Sequence, residues 1–176
     1  MRRLARLAGG LVAVALLAVI VGLFMPASWR LERSIVIDVP PARVYPLVAT
    51  PRHWQDWAMW NRRDPSTRPS FFGPESGADA GWEWDSRTEG KGRMTLLSAD
   101  PGRALTYELL LPDMASTSTG SIVLQPQGAA TRVTWTNTGS LGRNPLKHLL
   151  APFMDRWIGP DFEAGLANLK VLAERH

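Results

Sequence analysis

The sequence predicts an α+β fold. A curved antiparallel sheet of about six to seven strands wraps around one long C-terminal helix, two short helices follow the first strand, and one transmembrane helix precedes the domain. Three observations predict it. Apolar residues recur at three- and four-residue spacing from Leu146 through Leu149, Leu150, Phe153 and Trp157 to Ile158, Phe162, Leu166, Leu169 and Leu172, so Asn144 to His176 reads as a helix with one buried face. Between Glu32 and Asn137, alternating apolar and polar runs succeed one another across Gly, Pro, Asp and Asn turns, the pattern of strands joined by hairpins. Leu7 to Trp29 carries no charge.

That uncharged stretch exceeds the about 20 apolar residues a bilayer core requires. Arg2, Arg3 and Arg6 precede it, and Arg30 and Arg33 follow with Glu32 between them. The positive-inside bias places the N-terminus in the cytoplasm and the domain on the periplasmic or extracytoplasmic side of the cell membrane. A cleaved signal peptide is the competing reading. The length of the stretch, and an exit Phe24-Met25-Pro26-Ala27-Ser28-Trp29 without a small-x-small site, favour an uncleaved single-pass anchor with Trp29 at the interface. The chain then divides into an anchor with its basic flank, 1–29, and one domain, 30–176, of about 145 residues.

Glu32 to Val39 alternates, with Ile35, Ile37 and Val39 on one face. Pro40-Pro41 stops that strand, and Pro41 suits the first turn of a short helix over Ala42 to Ala49. His53 to Asn61 carries Trp54, Trp57 and Trp60 along one side of a second short helix. Further strands are predicted around Pro69 to Phe72, then at Trp82 to Asp85, Arg93 to Ala99, Ala104 to Leu111, Gly120 to Gln125 and Thr131 to Asn137. Short turns between them make the sheet antiparallel. Gly159-Pro160, followed by Asp161 and Glu163, predicts a kink or restart in the terminal helix.

Composition narrows the function. Of 20 Lys and Arg, three (Arg2, Arg3 and Arg6) precede the apolar stretch, leaving 17 against 16 Asp and Glu; the folded part is nearly neutral and lacks the basic, aromatic-interleaved footprint of a nucleic-acid binder. Absence of cysteine excludes disulfides and thiolate chemistry. His53, His148 and His176 stand far apart, none at ligand spacing, so no metal or cofactor is expected and each histidine reads as a surface or capping residue. No Gly-x-Ser-x-Gly or phosphate-loop pattern occurs. Eight Trp against two Tyr point to a large aromatic core or an aromatic-lined cavity. Alternation sends Glu83 and Glu108 away from the aromatic face, and places Arg93 outside with Met94 and Leu96 inside. No titratable pair is then placed for acid–base work, and catalytic residues stay unassigned.

Five stretches carry a resemblance. They are Arg33-Ser34-Ile35-Val36-Ile37-Asp38-Val39-Pro40-Pro41-Ala42-Arg43-Val44-Tyr45, Trp54-Gln55-Asp56-Trp57, Gly73-Pro74-Glu75-Ser76-Gly77, Thr131-Arg132-Val133-Thr134-Trp135, and Gly159-Pro160-Asp161-Phe162-Glu163-Ala164-Gly165-Leu166-Ala167-Asn168-Leu169-Lys170. In these the chain resembles the START-like or SRPBCC superfamily, the helix-grip fold, in its polyketide cyclase/dehydrase and lipid transport branch. The resemblance implies a cavity between sheet and terminal helix that selects a hydrophobic small molecule or lipid. Its candidate lining is Trp57, Trp82, Trp84, Tyr107, Trp135, Phe153, Trp157, Phe162 and Gly165, with Phe153 and Trp157 as gate and Phe162 and Gly165 on the floor. Gly165 serves either close packing or ligand space, and the sequence leaves both open. The expected function is a membrane-tethered binding domain for such a ligand, without cofactor. A cyclase/dehydrase-like enzyme and an envelope interaction module without ligand are its rivals.

Overall fold

The computed structural model describes residues 2–64, 66–88, 90–114 and 116–175, with the side chains of 2–8, 61, 62 and 114 outside that description. The basic flank Arg2, Arg3 and Arg6, and His176, therefore fall outside the described side chains. The helices are α1 (Arg2–Phe24), α2 (Pro41–Ala49), α3 (Trp54–Trp57), α4 (Trp60–Arg63), α5 (Pro145–His148) and α6 (Met154–Arg175). The strands are β1 (Ser28–Ile37), β2 (Ser70–Phe72), β3 (Gly81–Ser86), β4 (Gly90–Asp100), β5 (Ala104–Leu111), β6 (Ser116–Gln127) and β7 (Ala130–Ser140).

The seven strands form one sheet in the order β1-β7-β6-β5-β4-β3-β2, every neighbouring pair antiparallel. Hairpins connect β2 through β7 in sequence, while helices leave β1 free to pair with the last strand. Alternation sets the concave face: Leu31 and Ile37 from β1, Trp82 from β3, Met94 and Leu96 from β4, Leu105 and Tyr107 from β5, Ile122 and Leu124 from β6, and Val133 and Trp135 from β7 are buried there. Glu83, Arg93 and Glu108 are exposed, as their parity predicts.

Helix α6 covers this face and runs in the same direction as β1. Arg33 bonds Asp155 and Glu163, Lys170 Nζ donates to the Val36 carbonyl at 2.9 Å, and the Asp38 N–H donates to Glu174 at 2.8 Å. Phe162, Gly165, Leu166, Leu169 and Ala173 are its buried stripe. The C-terminal half of α6 is thus held over Ile37 and α2, where Arg43 also donates to the Ala173 carbonyl at 3.2 Å.

The terminal segment departs from expectation. No restart occurs at Gly159-Pro160; α6 runs through both. Pro160 is exposed, so the carbonyl it cannot serve faces water, and the helix tolerates it. The break lies earlier, at Leu149 to Phe153, where Pro152 in a 3₁₀ turn over Ala151–Phe153 separates α5 from α6. The predicted His53-to-Asn61 helix is likewise two short helices parted at Ala58-Met59.

At the N-terminal end, β1 begins at Ser28, so Trp29 is a strand residue paired with Gly139. Among the described residues, no helix is long and apolar enough to cross a membrane. Helix α1 packs by its last turn on α5: a methyl group at Gly22 would overlap the Pro145 carbonyl. His148 is buried in this joint, Nδ1 3.0 Å from the Gly22 carbonyl oxygen and Nε2 2.9 Å from that of Gly142. It thereby caps the end of α1 from a buried position, so of the surface or capping role expected of it only the capping one applies.

Candidate functional site

The α6 and sheet residues converge on one aromatic cluster. Trp54 lies 4.5 Å from Trp57, 5.5 Å from Trp82, 5.5 Å from Tyr107 and 5.7 Å from Trp135, measured between ring centroids. Trp135 meets Phe162 at 4.0 Å with the rings tilted by 33°, and Trp60 closes the group at 5.6 Å from Trp135. Trp54, Trp57, Trp82, Tyr107 and Trp135 are all 0 % exposed, so these rings meet each other rather than solvent. Indole N–H groups of Trp54 and Trp57 are absorbed by the Val48 and Leu47 carbonyls of α2, at 2.7 and 3.0 Å. These two bonds anchor the short α3 against α2.

Of the predicted lining, Trp57, Trp82, Tyr107, Trp135, Phe162 and Gly165 are brought together. Gly165 resolves toward close packing: an added methyl would stand 3.1 Å from the Trp135 ring and 3.8 Å from Trp57. Trp84 is only half-buried and lies across Gly92 of the neighbouring strand. One side of it lines an open groove of about 440 Å³ with Arg68, Glu83 and Lys91, on the β2–β3 edge of the sheet. Phe153 and Trp157 are not in the cluster. They stack on each other at 5.8 Å and stand exposed at the start of α6.

Sequence reasoning missed a second set, at the end of the concave face where β1 begins and β7 ends. Register rows there read Tyr107–Gly120–Asn137–Leu31 and Leu109–Ser118–Gly139–Trp29 across β5, β6, β7 and β1. Small residues replace bulky ones: Tyr107 folds over Gly120 and Trp29 over Gly139, neither of which has room for a side chain. The signal was available, because Asn137 shares parity with Val133 and Trp135, and Ser118 with Ile122 and Leu124.

Polar groups here are few and specific. Trp135 Nε1 donates to the Tyr107 hydroxyl at 2.8 Å. Burial pushes the Tyr107 phenol far above its usual range, the hydrogen bond from Trp135 opposing only in part, so it stays protonated and can donate but not act as a base. Asn137 Oδ1, Trp60 Nε1 and Trp82 Nε1 are buried without a partner, each an unmet group of about 1–3 kcal/mol.

Arg33, also missed, shares parity with Ile35 and Ile37 and reaches the rim between sheet and helix. Its guanidinium bonds Asp155 at 2.9 Å and Glu163 at 2.7 Å, and it lies over Gly159, which has no room for a methyl. Those bonds, chiefly to Asp155, raise Arg33, and Arg33 holds the Asp155 carboxyl below the usual range. Among the described residues, no group of three His, Asp or Glu could hold a metal ion. The chemistry on offer is hydrogen bonding inside an apolar enclosure.

The comparisons agree with this architecture. The family model for Polyketide cyclase / dehydrase and lipid transport matches residues 28–174. Among solved structures, a protein of Chromobacterium violaceum is 19 % identical with a TM-score of 0.59, over 85 % of this chain and 99 % of that one. A Thalictrum flavum norcoclaurine synthase point mutant, in complex with a transition-state analogue, is 9 % identical with a TM-score of 0.64, over 85 % and 96 %. The di-domain ARO/CYC of the BE-7585A biosynthetic pathway is 18 % identical with a TM-score of 0.59, over 84 % of this chain and 50 % of that one. At these identities the likeness is one of fold. No curated protein matches. The match over the whole of the sheet and α6 shows that the chain belongs to the polyketide cyclase/dehydrase and lipid transport family.

Proposed function

We propose that this chain is a membrane-tethered binding domain, 30–176 with its first strand starting just upstream, for a hydrophobic small molecule or lipid bearing a hydroxyl-like group. The observation that carries it is the Asn137 carboxamide oxygen, buried without a partner among the small residues Ser118, Gly120 and Gly139 at the end of the grip where β1 begins. An acceptor left unmet in an apolar setting favours a ligand donor, and Trp60 Nε1 offers the complementary donor. The aromatic set Trp57, Trp82, Tyr107, Trp135 and Phe162 supplies the apolar wall. Tethering is supported by the uncharged run 7–29 and by Leu11, Leu16, Leu17, Leu23 and Phe24 of α1, all exposed, and the basic flank Arg2, Arg3 and Arg6 favours the extracytoplasmic side for the domain.

The test is native mass spectrometry and lipid extraction of the full chain in nanodiscs, followed by titration with long-chain alcohols, fatty acids and polycyclic phenols. A bound or bindable member is expected, with affinity reduced in Asn137→Leu. Absence of binding across the panel overturns the reading.

A second reading, an envelope interaction module without ligand, is favoured by the completeness of ring packing at the centre of the grip. It predicts that Asn137→Leu stabilises the fold and changes nothing else. A cyclase/dehydrase-like activity would rest on the Tyr107 hydroxyl as donor, and Tyr107→Phe would then abolish turnover while sparing binding.

A further inference from the structure

The segment joining β7 to α6 exposes a row of large apolar side chains. Leu146, Leu150, Phe153 and Trp157 are 47, 41, 50 and 56 % exposed. Phe153 and Trp157 stack on each other at 5.8 Å, and Leu146 and Leu150 precede them at spacings of four and three residues through α5 and the turn that follows it. Flanking this row, Arg143, Lys147 and Arg156 are exposed and form no ion pair among the described residues. The one acid within it, Asp155, is taken up by Arg33.

This row is joined to α1. Gly22 abuts Pro145, His148 binds the Gly22 carbonyl, and exposed Leu23 and Phe24 follow directly. The geometry points to a docking face: Leu146, Leu150, Phe153 and Trp157 rest in the headgroup–acyl boundary of a bilayer while Arg143, Lys147 and Arg156 engage anionic lipid phosphates. An apolar row edged by unpaired cations is the surface that an anionic lipid interface fits, and its continuity with α1 selects a bilayer over a protein partner as occupant. The inference rests on the tethering reading above and adds an orientation, since the row borders the end of the grip that holds Trp29, Ser118 and Asn137. A ligand leaving the bilayer would meet that end without crossing water.

Absence of native cysteine makes the test direct. Leu150→Cys in the full chain is labelled with an environment-sensitive fluorophore and reconstituted in vesicles of phosphatidylcholine with phosphatidylglycerol, with Gln127→Cys at the far end of the sheet as reference. Flotation with the vesicles reads the tether; quenching by nitroxide-bearing lipids reads the docking. Quenching several-fold above the Gln127→Cys reference is expected, falling to the reference level when Arg143, Lys147 and Arg156 are all changed to Glu, with flotation unchanged. Flotation without quenching above the reference overturns the docking and leaves the tether standing. A label shielded from water but not from added protein, without lipid quenching, overturns it in favour of a protein occupant. Loss of flotation overturns the tether and the docking with it. Quenching unaltered by the triple charge change overturns the lipid-phosphate part.

Discussion

The two ends of the grip are built from the same strands and the same helix, yet they are packed by opposite rules. Toward Ile37 and α2, α6 presses Gly165, Leu166 and Leu169 into large inward side chains, and Trp135 meets Phe162 at 4.0 Å. Toward Ser28 and Ser140, the inward positions shrink to Ser118, Gly120 and Gly139, the helix covering gives way to a 3₁₀ turn, and the Asn137 carboxamide oxygen lies buried without a partner. The difference teaches that dense apolar packing and unmet hydrogen bonding are segregated along one axis. The closed end holds the fold together, and the end where β1 begins leaves the hydrogen-bonding capacity of Asn137 unspent.

Substitutions can break that contrast, beginning at the closed end. Trp135→Ala removes the ring shared by Trp57, Trp60 and Phe162 and is expected to cost about 3–5 kcal/mol in denaturant unfolding. Gly165→Leu forces a side chain into the Trp135 contact and is expected to destabilise by about 1–3 kcal/mol or more, with Gly165→Ala much milder because the ring need yield only slightly. Loss of ligand binding in Gly165→Leu with full stability would instead show that the glycine holds ligand space. Tyr107→Phe leaves the Trp135 N–H without its acceptor, and a loss of about 1–3 kcal/mol should appear in the same assay.

Acid sharpens the comparison from the rim. Arg33 holds Asp155, and Lys170 holds Asp38, below the ordinary carboxylate range. The unfolded chain therefore binds more protons than the folded one in acid. This contribution is full above about pH 4 and declines as pH falls through the depressed folded values. Thermal melts from pH 5 downward should show a falling Tm, less so in Arg33→Gln and at high salt, since these pairs are solvent-screened. Smallest of all is the exposed pair: Phe153→Ser and Trp157→Ser are each expected within about 0.5 kcal/mol of the parent. A large loss there would mean that the exposed pair also carries structure.

Alternation and turn chemistry located every strand of the sheet, because one buried face imposes a period of two that hairpin residues punctuate. The predicted span Ala104 to Leu111 coincides with β5, whereas β6 and β7 each extend beyond prediction into Ser, Thr and Gly. Those residues have weak strand character of their own and are held by neighbours on both sides. Helix continuity across Gly159-Pro160 was hidden because the outcome depends on which side of α6 faces water. The site divided in the same way. Bulky aromatics announced themselves by hydropathy, and they mark the packed centre. Arg33 and Asn137 carry polar side chains on inward positions, so only strict attention to parity reveals them. Asp155 and Glu163, which bind Arg33 from so far along the chain, have no signal in sequence at all.

The rings lying across glycines, Trp29 on Gly139, Trp84 on Gly92 and Tyr107 on Gly120, have a consequence for how such a sheet can change over generations. Each pair is a lock that opens from one side. The aromatic can be exchanged for something smaller at the expense of contact, but the glycine cannot gain a side chain while its ring remains in place. Divergence at these positions must therefore proceed in a fixed sequence, ring first and glycine second. Between the two steps the concave face holds a vacancy into which a new ligand could fit.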